Sequence, residues 1–138
     1  MKALSVRQPW PWAILYANKR HENRDWERCP SWMREFRGRV LLHASKGCTL
    51  REYGDAAAFI FDVCGLEVPP LEELPRGAIV GAMTIVDFVT EASSPWFMGP
   101  GALVLEDVKP APKIVPCLGA QGFFNVPADV AAQLRGGS

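Results

Sequence analysis

The run AIVGAMTIVDFV, residues 78–89, constrains the fold more than any other stretch of this chain. It is rich in β-branched side chains, with no proline and no charge before Asp87, and reads as a long strand. A strand carries a row of backbone donors and acceptors that neighbouring strands must satisfy, and the chain supplies candidates. KALSV (2–6) alternates polar and apolar residues, and RVLLHAS (39–45) is apolar throughout its middle. GALVLEDVKP (101–110) and KIVPC (113–117) read as two further strands, and RHENRDW (20–26) as a polar one. A helix is expected from Pro9 to Asn18, because proline costs little in the first helical turn and asparagine tolerates the left-handed residue that ends a helix. A second is expected over 49–64, where Thr49 and Glu52 have capping-box spacing. A weak helix is expected near 127–134, followed by a frayed tail. CPSWMREFRG (29–38), the proline-rich 65–77 and the glycine-rich LGAQGFFNVP (118–127) read as loops. The prediction is an α+β fold in one domain over residues 1–138. It is a small, mixed β-barrel of about five or six strands, closed or nearly closed, flanked by two or three helices.

The 138 residues are 49% hydrophobic and 22% charged, a composition that supports a core and excludes a disordered chain. No apolar run approaches the roughly 18 residues of a membrane span, and MKALSVRQPW has no continuous apolar region. The expectation is a cytoplasmic protein without a membrane partner, most simply a monomer. Cys29, Cys48, Cys64 and Cys117 lack CxxC spacing, and only His21 and His43 can join them, so neither a metal nor a cofactor is expected. Free, mostly buried thiols are the plain reading.

Net charge is zero but unevenly spread. Residues 1–51 hold eleven Lys and Arg against four Asp and Glu, an excess of +7, and the remainder carries −7. The basic part also holds four of the five tryptophans. Cations attract phosphate and exposed rings stack on bases, which points to nucleic acid. Charges scattered over the surface and tryptophans in the core fit the same pattern. Trp10, Ala13, Ile14 and Ala17 fall on one face of the first helix, and Trp12, Leu15 and Tyr16 on another. A helix apolar nearly all round should be largely buried.

In order along the chain, LSVRQPWPWAIL, NKRHENRDW, RGRVLLHASK, AIVGAMTIVDFV and LGAQGFFNVP resemble the ASCH domain family of PUA-like β-barrels, over about residues 3–126. The family's G-x-K-x-x-E-x-R signature is met by Lys19, Glu22 and Arg24. Its glycine is replaced, with Asn18 supplying a residue that tolerates a left-handed turn. The resemblance implies a cleft beside this signature and a role in binding or processing RNA or nucleotides. Family members include a coactivator domain that binds nucleic acid, a single-strand ribonuclease, and amidohydrolases that deacetylate N4-acetylcytidine. This chain departs from the last at Glu22, where they carry threonine.

Three functions follow. The first is recognition of single-stranded RNA or a nucleotide in a basic cleft. The second is metal-independent hydrolysis, as a ribonuclease or an amidohydrolase on modified cytidine, and the third is a protein-interaction module. Lys19, Glu22 and Arg24 are the candidate catalytic residues. Glu22 and Arg24 share a strand face, and Lys19, at the helix end, is expected to be partly exposed. An ion pair at a barrel rim is the competing reading. Arg7, Gln8, Trp10, Ser45, Lys46, Gln121, Gly122 and Phe123 are the candidate nucleic-acid contacts. Arg7 and Lys46 offer cations to phosphate, Gln8 and Gln121 offer amides to base edges, and Trp10 and Phe123 offer rings. Gln8 reads equally as a backbone cap, Lys46 as a solvated lysine and Trp10 as core. His43 reads as a satisfied core or rim histidine.

Overall fold

A computed structural model describes residues 1–25 and 29–136. Trp26, expected at the end of the polar strand, and the tail residues 137–138 lie outside them. The chain forms β1 (Lys2–Val6), α1 (Trp10–Tyr16), β2 (His21–Arg24), α2 (Ser31–Glu35), β3 (Gly38–Ala44) and α3 (Leu50–Cys64). A 3-10 turn (Leu71–Glu73), β4 (Ala78–Val89), β5 (Gly101–Pro116), β6 (Phe123–Asn125) and α4 (Ala128–Gly136) follow. The strands make one mixed sheet in the order β2-β5-β4-β3-β1-β6. Only β1 and β3 pair in parallel. The sheet curls into a half-barrel flanked by helices, the α+β architecture the sequence predicts.

The expected long strand is β4, paired on both sides by β3 and β5. Its ladder with β5 slips three times, between Ile79 and Gly81, Ala82 and Thr84, and Ile85 and Asp87. Each slip adds local twist, and together they curl the sheet. The two strands expected at 101–117 are one continuous β5, with Asp107 at φ 48 inside it. Prolines fit here because β2 covers only Gly101–Val104, leaving the outer edge of the rest without a strand partner among the described residues. Two expected loops contain short elements, α2 and β6, so the described residues hold four α-helices rather than two or three. Both predicted helix signals are present: Asn18 has φ 58, and the Thr49 hydroxyl accepts the Glu52 N–H.

One cluster, around Leu4, Ile14, Leu42, Met83 and Leu103, forms the main core. A second joins Ile79 and Val115 to Val130 of α4, and a third joins Ala13, Ala17, Ile60 and Trp96 between α1 and α3. Helix α1 is less buried than its composition suggests. Pro11, Ala13 and Ile14 are buried, Trp10, Trp12 and Leu15 are half-buried, and Tyr16 is exposed. The two tryptophans pack against the third cluster, where Trp10 meets Phe59 edge-on at 6.1 Å.

Gly81 lets α1 rest on the sheet. A Cβ there would lie 2.7 Å from Leu15 Cδ2 and 2.7 Å from the Lys109 carbonyl oxygen. The second clash is with backbone and cannot move aside. Gly81→Ala should therefore cost about 1–3 kcal/mol, read as a lower urea midpoint at unchanged slope; an unshifted midpoint would mean that the β4–β5 ladder relaxes freely.

Candidate functional site

The left-handed turn at Asn18 folds Lys19 back beneath α1. Its side chain is 2% exposed, which corrects the expectation of a partly exposed lysine. Lys19 does follow the end of α1, but the turn points its side chain inward. There the ammonium donates to the His21 carbonyl and to Glu22 Oε1 (3.1 Å), and lies 5.5 Å from the Trp10 ring centroid. A carbonyl, a carboxylate and an aromatic face replace water. Glu22 Oε2 pairs with Arg24 at 3.1 Å, and Arg24 donates to the Ser5 carbonyl at 3.1 Å. Glu22 and Arg24 thus share a strand face, and the carboxylate is clamped between two cations. Lys19→Ala should cost about 2–4 kcal/mol, less than for an isolated buried pair because Glu22 keeps Arg24. Chemical denaturation measures it, and a loss under about 0.5 kcal/mol would mean the ammonium is not structural.

Two clefts meet above this chain of charges. The first, about 520 Å³, runs between the end of β1, the start of α1, β2 and α3, and includes Gln8, Trp10, Glu22, Phe59 and Met98. Its wall carries Arg7 and Arg24 against Glu22, Glu52 and Asp55. The second, about 900 Å³, lies between the ends of β1 and β3, the 116–122 loop and α4. It carries Arg7, Arg24, Lys46 and Arg76 against Asp129 alone among the described residues. Ser5, Arg7 and Arg24 line both. The expected basic cleft beside the signature is thus two clefts: mixed charge beside Glu22, and net positive charge across the ridge. The sequence excess of +7 does not form one face. Arg7 pairs with Glu52 at 2.8 Å, Arg37 with Asp87 at 3.6 Å and Arg39 with Asp107 at 3.2 Å, all across elements.

The other candidates divide between the clefts. Gln8 is 3% exposed, and its Nε2 donates to the Pro75 carbonyl at 2.8 Å. That bond is the backbone cap, and it leaves Oε1 buried with no donor. Trp10 lines the first cleft while packing on α3, so core and wall are one residue. Ser45, Lys46, Gln121 and Gly122 line the second. Phe123 lines neither; it is buried against Trp32 and Phe36, 5.8 and 5.1 Å between ring centroids. The alternation of the short β6 strand decides this, turning Phe123 to the core and Phe124 to His43. Sequence reasoning missed Ser5, Phe59 and Arg76. Arg76 carried the best available signal, a loop cation just before the glycine that opens β4.

His43 is 2% exposed and satisfied at both nitrogens. Nε2 lies 2.8 Å from the Cys117 carbonyl, an acceptor only, so Nε2 carries the hydrogen. Nδ1 then accepts from the Ser5 hydroxyl at 3.1 Å, between register partners on adjacent strands. The loop closes over the ring: a Cβ at Gly119 would lie 2.3 Å from His43 Cε1. Burial holds His43 below its ordinary 6.5, opposed by the bond to Cys117. Burial, then the Lys19 charge, does the same to His21. Below about pH 6.5 the unfolded chain takes up protons that the folded chain refuses, so stability is full above that pH and falls on acidification. Tm should drop between pH 7 and 5, and His43→Gln should flatten the drop; equal slopes in both proteins would remove His43 as its source.

Among the described residues, no three His, Cys, Asp or Glu side chains gather to hold a metal, and no helix is long and apolar enough to cross a membrane. A scan against protein-family models gives no match, and a search of curated proteins gives none.

Proposed function

We propose that this protein recognises single-stranded RNA or a nucleotide, with one base held in the first cleft. The observation that carries the reading is the junction itself. An aromatic-walled cleft of mixed charge opens, across Ser5, Arg7 and Arg24, into a cleft of net positive charge. A nucleotide has the same two parts, a flat polar ring and an anion. Trp10 and Phe59 offer stacking faces, and Gln8 Oε1 is an acceptor without a donor, suited to the exocyclic amine of cytosine or adenine. The resemblance to ASCH domains supports the same ligand class.

In this reading Lys19, Glu22 and Arg24 hold the cleft wall in place. The Lys19 ammonium is committed to three partners, which leaves it a positioning role rather than proton transfer. Titration of labelled single-stranded RNA tests the reading. Affinity should fall between 50 and 200 mM salt as released counterions cease to drive binding. Phe59→Ala should weaken it by about 1–3 kcal/mol, the usual worth of a stacked base. Absence of binding at low salt overturns the proposal. Mass spectrometry after incubation with RNA or N4-acetylcytidine reads the hydrolase alternatives directly, since cleaved RNA or free cytidine would make the protein an enzyme.

A further inference from the structure

We infer that the second cleft is a phosphate subsite, so that the ligand is a phosphorylated nucleotide and not a free nucleoside; the identity of the base rests on the reading above, whereas the anion site does not. Lys46 and Arg76 stand side by side on one rim. The Lys46 carbonyl accepts from Arg76 at 3.3 Å, and the Lys46 stem lies over Gly77, 3.9 Å from where a Cβ would be. Neither cation has a carboxylate partner among the described residues, unlike Arg7 and Arg24 on the shared ridge. Two uncompensated cations on one rim leave a net positive charge there, and a dianion on that rim neutralises it.

Three further features belong to the same cleft. The Ser45 hydroxyl, at the end of β3, is buried without a hydrogen-bond partner, and one rotation about Cα–Cβ redirects it. Arg24 Nε, under the ridge, is likewise buried without an acceptor. Across the cleft, the 118–121 loop belongs to no strand or helix, and its N–H groups donate to nothing among the described residues. Successive free backbone donors suit an anion with several oxygens. Asp129, the opposing carboxylate, sits on the α4 side and biases an anion toward Lys46 and Arg76. The first cleft cannot take this role, because its three carboxylates outnumber its two arginines. A nucleoside in the first cleft extends its phosphate across Ser5 and Arg24 into the second.

The test uses the full chain and four probes: cytidine, its 3′- and 5′-monophosphates, and inorganic phosphate. Binding is followed by calorimetry and by amide chemical shifts of residues 118–122. At low salt at least one monophosphate should bind about tenfold or more tighter than cytidine, and inorganic phosphate should shift the loop amides. In the Lys46→Gln/Arg76→Gln double variant the preference should collapse to near one with cytidine affinity unchanged. Both side chains are exposed, and an unaltered Tm verifies the fold. Equal affinity for cytidine and both monophosphates, or a preference that survives the double variant, overturns the subsite and leaves the nucleotide reading standing. Loop shifts with inorganic phosphate that vanish in the variant, without binding of cytidine or either monophosphate, support the subsite and remove cytosine as the base. No response to any probe overturns the subsite and removes cytosine, and leaves the RNA titration to decide the reading above.

Discussion

The buried ammonium of Lys19 is the interaction on which the site depends. In sheet order β2 lies at one end and β1 next to the other, with three strands between them. No ladder joins β1 and β2, yet they touch: Lys19 holds Glu22, Glu22 holds Arg24, and Arg24 donates to the Ser5 carbonyl. A chain of alternating charge therefore spans the open side of the half-barrel, where backbone hydrogen bonds do not. The two clefts exist because this span fixes the distance between the β2 edge and the end of β1. Buried charges rarely add net stability, but they specify geometry, since each needs its partner in one place. Trp10 belongs to the same device, covering the ammonium with its ring and the cleft with its edge of α1.

Local rules made much of this legible in the sequence. The uninterrupted run at 78–89 is the strand with two full neighbours, Thr49 caps α3, and Asn18 ends the first helical segment in the left-handed conformation. Each depends on a few adjacent residues. Glu22 and Arg24 share a face because strand alternation demands it. What stayed hidden depends on distant partners. Lys19 looks exposed until the Trp10 ring and Glu22 are placed around it. β5 reads as two strands because its prolines look like breaks, although they lie on an edge that no strand covers among the described residues.

Charge is the clearest case of distance overriding sequence. Three of the cations that make the first third of the chain look basic find acids in the remainder: Arg7 with Glu52, Arg37 with Asp87, and Arg39 with Asp107. These exposed pairs contribute little stability, but they cancel the field where they lie. Positive charge stays uncompensated where cations have no carboxylate partner among the described residues, at Lys46 and Arg76. With charges screened over roughly 8–10 Å in physiological salt, an anion senses that cleft and not the molecule's net charge of zero. The same reasoning gives a ligand its direction. On the proposed nucleotide reading, Glu22, Glu52 and Asp55 would repel phosphate from the first cleft while its rings would accept a base, and Lys46 and Arg76 would attract phosphate to the second. A nucleotide lying the other way round would place its anion among three carboxylates, so the two clefts select one orientation by repulsion as much as by attraction.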